Sequence, residues 1–192
     1  PFRIDVWYGN VISSYNVVLK KKSQVFAFQA YGKPDLIDFD AERVVLAVKK
    51  ENKTIDNYVF QYHNAPLFAQ RYDALKALAE KQKESAAARQ TLVDAMRDPA
   101  YFLRQFAIDE LEIPKDNKDS ILATMAELIK SDKVSTVRRS ARLKLSKQPT
   151  AADYKAYYET AIGDSSYEVA ASALNAINEL ERKKALANSN KF

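Results

Sequence analysis

The part of the sequence best suited to chemistry is a basic segment in its C-terminal half. Between Lys133 and Ala152 the chain has six cations and no acid: Lys133, Arg138, Arg139, Arg142, Lys144 and Lys147. On a helix, Arg138 and Arg142 are one turn apart and Arg139 lies beside them. Such a cluster can be an anion site, and six cations can also give a salt-dependent affinity for DNA. A solvated helix face is the third interpretation, and the residues alone leave all three open.

Residue types used in thiol, zinc and phosphate-loop sites are absent or scarce. The chain of 192 residues has no cysteine, three glycines and one histidine, His63. A zinc site of the H-E-x-x-H type needs two histidines one helical turn apart, and phosphate-binding loops need closely spaced glycines. We therefore assign no catalytic residue, metal ligand or cofactor, and we expect this chain to be non-enzymatic. Its net charge of +5 is modest, so a nucleic-acid partner is not expected.

The elements that must position the basic segment begin with β-structure in the first 50 residues. Phe2–Tyr8 alternates between two faces with a period of two. Further strands are predicted at Tyr15–Leu19, Val25–Phe28 and Val44–Val48. Three or four strands make only part of a sandwich, so we expect an unpaired sheet edge that favours self-association. We also expect exposed apolar side chains among Phe2, Ile4, Val6 and Trp7.

After Lys53 the pattern changes to helix and repeats. An aliphatic residue (Gln70 in the first copy), an alanine and a leucine or isoleucine recur at four-residue steps. The copies are spaced 33, 34 and 32 residues apart and are centred on Ala74, Ala107, Ala141 and Ala173. Positions four apart share a helix face, and the small alanine lets a neighbouring helix approach closely. This period of two helices predicts four helix pairs stacked as a solenoid.

The repeats carry charged positions as well. In the last three copies an aspartate stands five residues before the aliphatic residue, at Asp98, Asp132 and Asp164. In the first three copies an arginine stands three residues before the central alanine, at Arg71, Arg104 and Arg138. The pattern D-x-x-x-x-[VL]-R-x-x-A-x-x-x-L resembles HEAT-type repeats, in which the Asp and Arg help to lock neighbouring repeats. The repeat positions are therefore expected to be structural: Asp98, Arg104, Ala107, Asp132, Arg138, Ala141, Asp164 and Ala173. Ala170 replaces the arginine in the last copy, as terminal repeats often depart from consensus.

A second resemblance lies at the junction of the two halves. The segment KPDLIDFDAERVVLAVKK (Lys33–Lys50) is followed by an amphipathic helix and then by Arg-x-x-Ala-Leu (Arg71–Leu75). This order is similar to the C-terminal region of zinc aminopeptidases related to aminopeptidase N. In that family a catalytic domain precedes a small β-sandwich and a HEAT/armadillo-like helical domain. The resemblance covers nearly the whole chain, but it carries over no catalytic or metal residue.

The resemblance implies an α+β, mainly α fold. Residues 1–52 would be a small antiparallel β-sandwich remnant, and residues 53–192 a HEAT-like α–α superhelix. The chain would be a non-catalytic C-terminal portion of a zinc aminopeptidase-like metallopeptidase, with the zinc elsewhere in the parent. It would pack on the catalytic domain and shape the peptide-substrate chamber, where Arg138, Arg139 and Arg142 could bind a peptide carboxylate. The alternative is a free-standing HEAT-like adaptor that binds protein or nucleic acid.

Two further expectations concern the chain as a whole. The sequence begins at Pro1 without an initiator methionine, which predicts a longer protein upstream. No stretch approaches the roughly 18–20 consecutive apolar residues of a membrane span, so we expect a soluble protein without a membrane partner. The compartment is left open between cytoplasmic and exported.

Overall fold

The computed structural model describes residues 1–114 and 118–189. Its first elements form a three-stranded antiparallel sheet in the order β2-β1-β3. The strands are β1 (Phe2–Tyr8), β2 (Val11–Val17) and β3 (Leu36–Phe39). The central strand β1 pairs Ile4 with Tyr15 of β2 and with Phe39 of β3. The observed bounds of β1 are those that its alternation predicts.

Aromatic side chains from the β2–β3 connection cover one face of the sheet. Phe2, Ile4 and Val6 are buried there, and Phe26 and Phe28 pack against them. The ring of Phe26 meets Phe2 edge to face, with centroids 6.3 Å apart. The connection thus supplies apolar cover by side-chain packing.

The opposite face of the sheet packs against helix. Trp7 meets the ring of Phe60 edge to face, with centroids 6.0 Å apart. The expectation of exposed apolar side chains at the start of the chain is therefore wrong, because aromatic rings cover both faces. The four residues concerned are all buried: Phe2, Ile4, Val6 and Trp7.

Two of the predicted strands are also wrong. Val25–Phe28 and Val44–Val48 are irregular, and the third strand lies instead within the Asp-rich junction. The reason for the second error is local. The carboxylate of Asp40 accepts hydrogen bonds from the backbone N–H groups of Val44 and Val45, at 2.9 and 3.1 Å, which directs these groups away from a sheet ladder.

Helices form most of the remaining described chain. Thr54 caps the first of them in a reciprocal capping box with Asn57. The helices are α1 (Ile55–Asn64), α2 (Phe68–Lys81), α3 (Ala86–Ala95), α4 (Tyr101–Glu110), α5 (Lys118–Ser131), α6 (Ser135–Ser146), α7 (Lys155–Ala161) and α8 (Tyr167–Ser189), with a 3-10 turn at Ala151–Tyr154 before α7. The fold is therefore α+β and mainly helical, with a small antiparallel sheet. No helix of the described residues is long and apolar enough to cross a membrane.

Contacts divide the chain into two compact units, residues 1–91 and 92–192. The change from extended chain to helix comes earlier, at the start of α1, close to the predicted domain boundary after residue 52. In the second unit α6 packs against α4, α5 and α8, while α7 packs against α5 and α8. The last predicted residues of the helical domain, 190–192, lie outside the described part of the chain.

The repeat positions of α4, α6 and α8 are buried small and aliphatic side chains. The repeat alanines Ala107, Ala141 and Ala173 are fully buried. The aliphatic residues four positions before them are also fully buried: Leu103, Val137 and Val169. Helices α6 and α8 contact each other, and these two helices carry the cations described next.

Candidate anion-binding groove

Two arginine–aspartate pairs join successive helix pairs in the second unit. Arg104 donates from Nε and Nη2 to the two carboxylate oxygens of Asp132, at 2.7 and 2.9 Å. Arg138 makes the same bidentate contact with Asp164, at 2.6 Å for both bonds. Each pair matches the planar guanidinium to a planar carboxylate, the geometry in which such pairs are strongest.

The paired aspartates and arginines also bond to backbone groups, and these contacts recur from one repeat to the next. One oxygen of Asp132 also accepts the N–H of Val134, and one oxygen of Asp164 accepts the N–H of Ser166, both at 2.8 Å. Arg138 also donates from Nη1 to the backbone carbonyl of Asp132, at 2.8 Å. Arg138 therefore connects the aspartate of its own repeat to the aspartate of the next one.

This pairing affects the titration of both partners. The hydrogen bond from Arg138 lowers the pKa of Asp164, and the hydrogen bond to Asp164 raises the pKa of Arg138. The two side chains are only 9% and 11% exposed, so solvent screens them weakly. Arg138 is thus committed to a contact within the fold, and it is not one of the groove residues described below.

Another cation of the basic segment is also engaged within the fold. Lys144 donates to the backbone carbonyl of Asp109 at the C-terminal end of α4, at 2.8 Å, and burial lowers its pKa. A cation at a helix C-terminus satisfies a carbonyl that has no partner in its own helix. Neither Arg138 nor Lys144 is therefore available as a simple surface charge.

Three of the four remaining cations of the segment, Arg139, Arg142 and Lys147, meet a second group of cations across a groove between α6 and α8. The groove has a volume of about 870 Å³. Its charged lining consists of five cations and one carboxylate: Arg139, Arg142, Lys147, Arg182, Lys183 and Glu179. Hydroxyl and amide groups complete the polar lining: Ser146, Ser172, Asn175 and Asn178. The excess of positive charge suits an anionic ligand.

Arg142 differs from the other cations of the groove in its burial. Only 3% of the residue is exposed, and it makes no hydrogen bond or ion pair with any other residue that the structure describes. Burial lowers the pKa of its guanidinium to about 10. A buried charge without a partner is costly, so a guanidinium in this state is well suited to receive an anion.

A buried tyrosine is the titratable neighbour of Arg142 on the inner side. Tyr158 is fully buried, its hydroxyl has no hydrogen-bond partner among the described residues, and burial raises its pKa to about 12. It therefore stays neutral at physiological pH and supplies no negative charge to Arg142. The groove, which Arg142 lines, is a side from which a counter-ion can approach it.

Arg139 and Lys147 form the surface part of the groove on α6. Both are exposed, and Arg139 is 3.8 Å from Glu168, a contact between two solvated side chains. Exposed pairs of this kind contribute about 0–1 kcal/mol, so Arg139 remains available to a ligand.

The structure thus sorts the three arginines proposed from the sequence. Arg139 and Arg142 lie in one groove, whereas Arg138 faces Asp164. The sequence reasoning missed Arg182 and Lys183 of α8. The available signal was helical spacing, because Asn175, Asn178 or Glu179, and Arg182 follow one another at steps of three and four residues.

The first unit has a separate buried charge network around the junction motif. Asp38 is fully buried and accepts hydrogen bonds from Arg43 (3.2 Å), Lys53 (3.3 Å) and Gln70 (2.7 Å). Burial raises the pKa of Asp38, but the charges of Lys53 and Arg43 and the hydrogen bonds outweigh it, so its pKa is lowered. The network joins β3 to Lys53, two residues before α1, and to Gln70 of α2, so the charge of Asp38 is used within the fold.

The described residues contain no group of three or more His, Cys, Asp or Glu side chains that could hold a metal ion. The only histidine of the sequence, His63, lies in the last turn of α1, with its ring 5.0 Å from that of Tyr62.

Comparisons of the chain with family models, curated proteins and solved structures give no match.

Proposed function

We propose that this chain is a non-catalytic C-terminal portion of a zinc aminopeptidase-like metallopeptidase, which packs on the catalytic domain and shapes the chamber for peptide substrates. In this proposal the groove between α6 and α8 binds a carboxylate of the peptide. The observation that carries the proposal is Arg142, a buried guanidinium without a partner among the described residues, at a groove lined by further cations.

The same proposal includes the finer architecture. The sheet would be a β-sandwich remnant, and the helix pairs would form a HEAT-like superhelix. Support comes from the paired contacts of Arg104 with Asp132 and of Arg138 with Asp164, which recur at the spacing of the repeats. The resemblance of the Lys33–Lys50 junction to the aminopeptidase family supports the order of the two parts.

The proposal assigns catalysis and zinc to another part of the parent protein. The sequence has one histidine and no cysteine, so it lacks the ligands of an H-E-x-x-H site. We expect the 192-residue chain not to hydrolyse aminoacyl-amide substrates, with or without added zinc. Tight one-to-one zinc binding in calorimetry, accompanied by hydrolysis, would contradict this assignment.

A direct test compares two fluorescent pentapeptides that differ only at the C-terminus, one a free carboxylate and the other an amide. Fluorescence anisotropy should show the carboxylate form binding about tenfold or more tightly, since hydrogen bonds to charged groups contribute about 1.5–3 kcal/mol. Arg142→Met should remove this preference. Lys184→Ala, which removes an exposed cation of α8 outside the groove, is the matched control.

The coding sequence upstream of Pro1 separates this proposal from the adaptor alternative. An in-frame H-E-x-x-H motif within the preceding few hundred codons would support a metallopeptidase parent. A start codon directly before Pro1 would support a free-standing adaptor. Equal binding of the carboxylate and amide peptides would count against a peptide-carboxylate site in either protein.

A further inference from the structure

We propose that the groove between α6 and α8 selects peptides whose C-terminal segment is acidic, with Arg142 binding one carboxylate and the exposed cations binding the acidic side chains beside it. This inference rests on the proposed function, since it assumes that the ligand is a peptide. It goes further by naming the class of peptide that the groove prefers.

The charge balance of the groove supports more than one negative charge on the ligand. Five cations face one carboxylate, that of Glu179, in the lining. A neutral peptide with one terminal carboxylate would neutralise a single cation and leave the others to repel each other. A ligand with two or three carboxylates would reduce this repulsion and would gain additional ion pairs at the surface.

The depth of the cations divides the groove into two parts. Arg142 is buried, so it can pair fully with one desolvated carboxylate. Arg139 lies three residues before it and is exposed, as are Arg182 and Lys183 on the facing helix. One deep guanidinium with several surface cations fits a ligand that has one inserted carboxylate and further charges nearby.

The length and lining of the groove favour a peptide over a small ion. The lining residues of α8 run from Ser172 to Lys183, about 16 Å along the helix axis, which corresponds to about five residues of extended peptide. The amide groups of Asn175 and Asn178 can both donate and accept hydrogen bonds, as peptide backbone requires, whereas the hydroxyls of Ser146 and Ser172 donate within their own helices and can only accept. A volume of about 870 Å³ is also far larger than a single ion occupies.

The test uses the 192-residue chain and three N-terminally labelled pentapeptides of equal length: neutral with a free carboxylate, the same with two glutamates before the C-terminus, and the acidic peptide with a C-terminal amide. In low salt the acidic peptide with the free carboxylate should bind about fivefold to tenfold more tightly than the neutral one, because each exposed ion pair adds a modest contribution. The advantage should shrink as salt is added.

Four variants identify the residues responsible. Replacing both Arg182 and Lys183 with alanine should remove the advantage of the acidic peptide, whereas Lys184→Ala should retain it. Glu179→Gln removes the opposing carboxylate and should tighten binding of the acidic peptide, a gain that misfolding cannot produce. Arg142→Met should weaken binding of every peptide.

The outcomes separate this inference from the proposed function. Equal affinity for the neutral and acidic peptides, both dependent on Arg142, would overturn the inference and leave the carboxylate site standing. No binding of any peptide would overturn both. If inorganic phosphate displaced the acidic peptide at concentrations similar to the dissociation constant of that peptide, a single-ion site would replace the peptide site and the inference would fail.

Discussion

Arg138 and Asp164 form a bidentate pair across 26 residues of sequence, with both hydrogen bonds at 2.6 Å. Arg104 and Asp132 form the equivalent pair one repeat earlier. The relationship explains why neighbouring arginines of one helix have different roles. Arg138 joins two helix pairs, whereas Arg142, one turn later on the same helix, lies at the groove without a partner among the described residues.

Asp164→Asn should lower the free energy of unfolding by about 1.5–3 kcal/mol at pH 7, since it removes the charge that Arg138 binds. Asparagine retains an oxygen that can still accept the N–H of Ser166. Urea unfolding measures the change. Asp153→Asn, at an exposed aspartate without an ion pair among the described residues, should change stability by less than about 0.5 kcal/mol.

The same pair predicts a pH dependence. Arg138 lowers the pKa of Asp164 in the folded protein, so the stabilisation is complete above the unfolded-state pKa of about 4 and is lost as the pH falls through the folded-state value. The stability difference between the parent and Asp164→Asn should therefore narrow below about pH 4. A difference that stays constant from pH 7 to pH 3 would show that the charge of Asp164 contributes nothing.

Arg142→Met should stabilise the protein by about 1–3 kcal/mol while removing anion affinity, because a buried charge without a partner is replaced by an apolar side chain of similar length. The cost of the charge is complete below the folded-state pKa of about 10 and decreases as the pH rises from there toward the ordinary value of 12.5. Thermal melts at neutral pH therefore report the full cost of burying the charge of Arg142. Arg139→Met, at an exposed position, should leave the melting temperature nearly unchanged, and a destabilised Arg142→Met protein would argue for a purely structural role.

Ala141→Leu should lower stability by about 1–3 kcal/mol through overpacking, since Ala141 is fully buried where α6 meets its neighbours. Ala107→Leu should have the same effect on α4. Ala171→Leu is the matched control, because Ala171 is exposed on α8 and leucine is also a good helix former. Unchanged thermal melts for both buried positions would mean that the alanines do not set the helix spacing.

Asp38→Asn should destabilise the first unit by about 1.5–3 kcal/mol, because it removes the buried charge that Arg43 and Lys53 share, while Arg43 keeps its pair with Asp73 and Lys53 its pair with Glu51. Glu84→Gln removes a carboxylate from the exposed pair with Lys81 and should have little effect. Hydrogen exchange of amides in β1 and α2 would report the difference locally.

Duplex DNA should not bind measurably at about 0.15 M salt, because phosphate contacts are screened and two of the six cations in the basic segment are held within the fold. Fluorescence titration with a random duplex checks this. Micromolar binding that Arg139→Ala and Arg142→Ala abolish together would favour the nucleic-acid alternative.

Local pattern was sufficient for several features of this protein. The alternation of Phe2–Tyr8 predicted β1, because side chains of a strand alternate between two faces whatever the strand pairs with. Helix-favouring composition and apolar residues at four-residue steps predicted a mainly helical second part, because residues four apart share one face of a helix whatever the helix packs against. The basic segment was visible as a run of charge. Apolar runs were less informative. Val44–Val48 has the composition of a strand, but the backbone N–H groups of Val44 and Val45 donate to the carboxylate of Asp40.

Tertiary structure decided which cations pair within the fold and which are available to a ligand. Helical spacing places Arg138 and Arg142 on one face and cannot show that an aspartate 26 residues downstream binds only the first of them. It also cannot show that Arg182 and Lys183 complete the groove, because they reach it only when α6 and α8 pack against each other. The composition of the basic segment is a local property of the sequence, whereas the burial and pairing of each cation depend on contacts between distant residues.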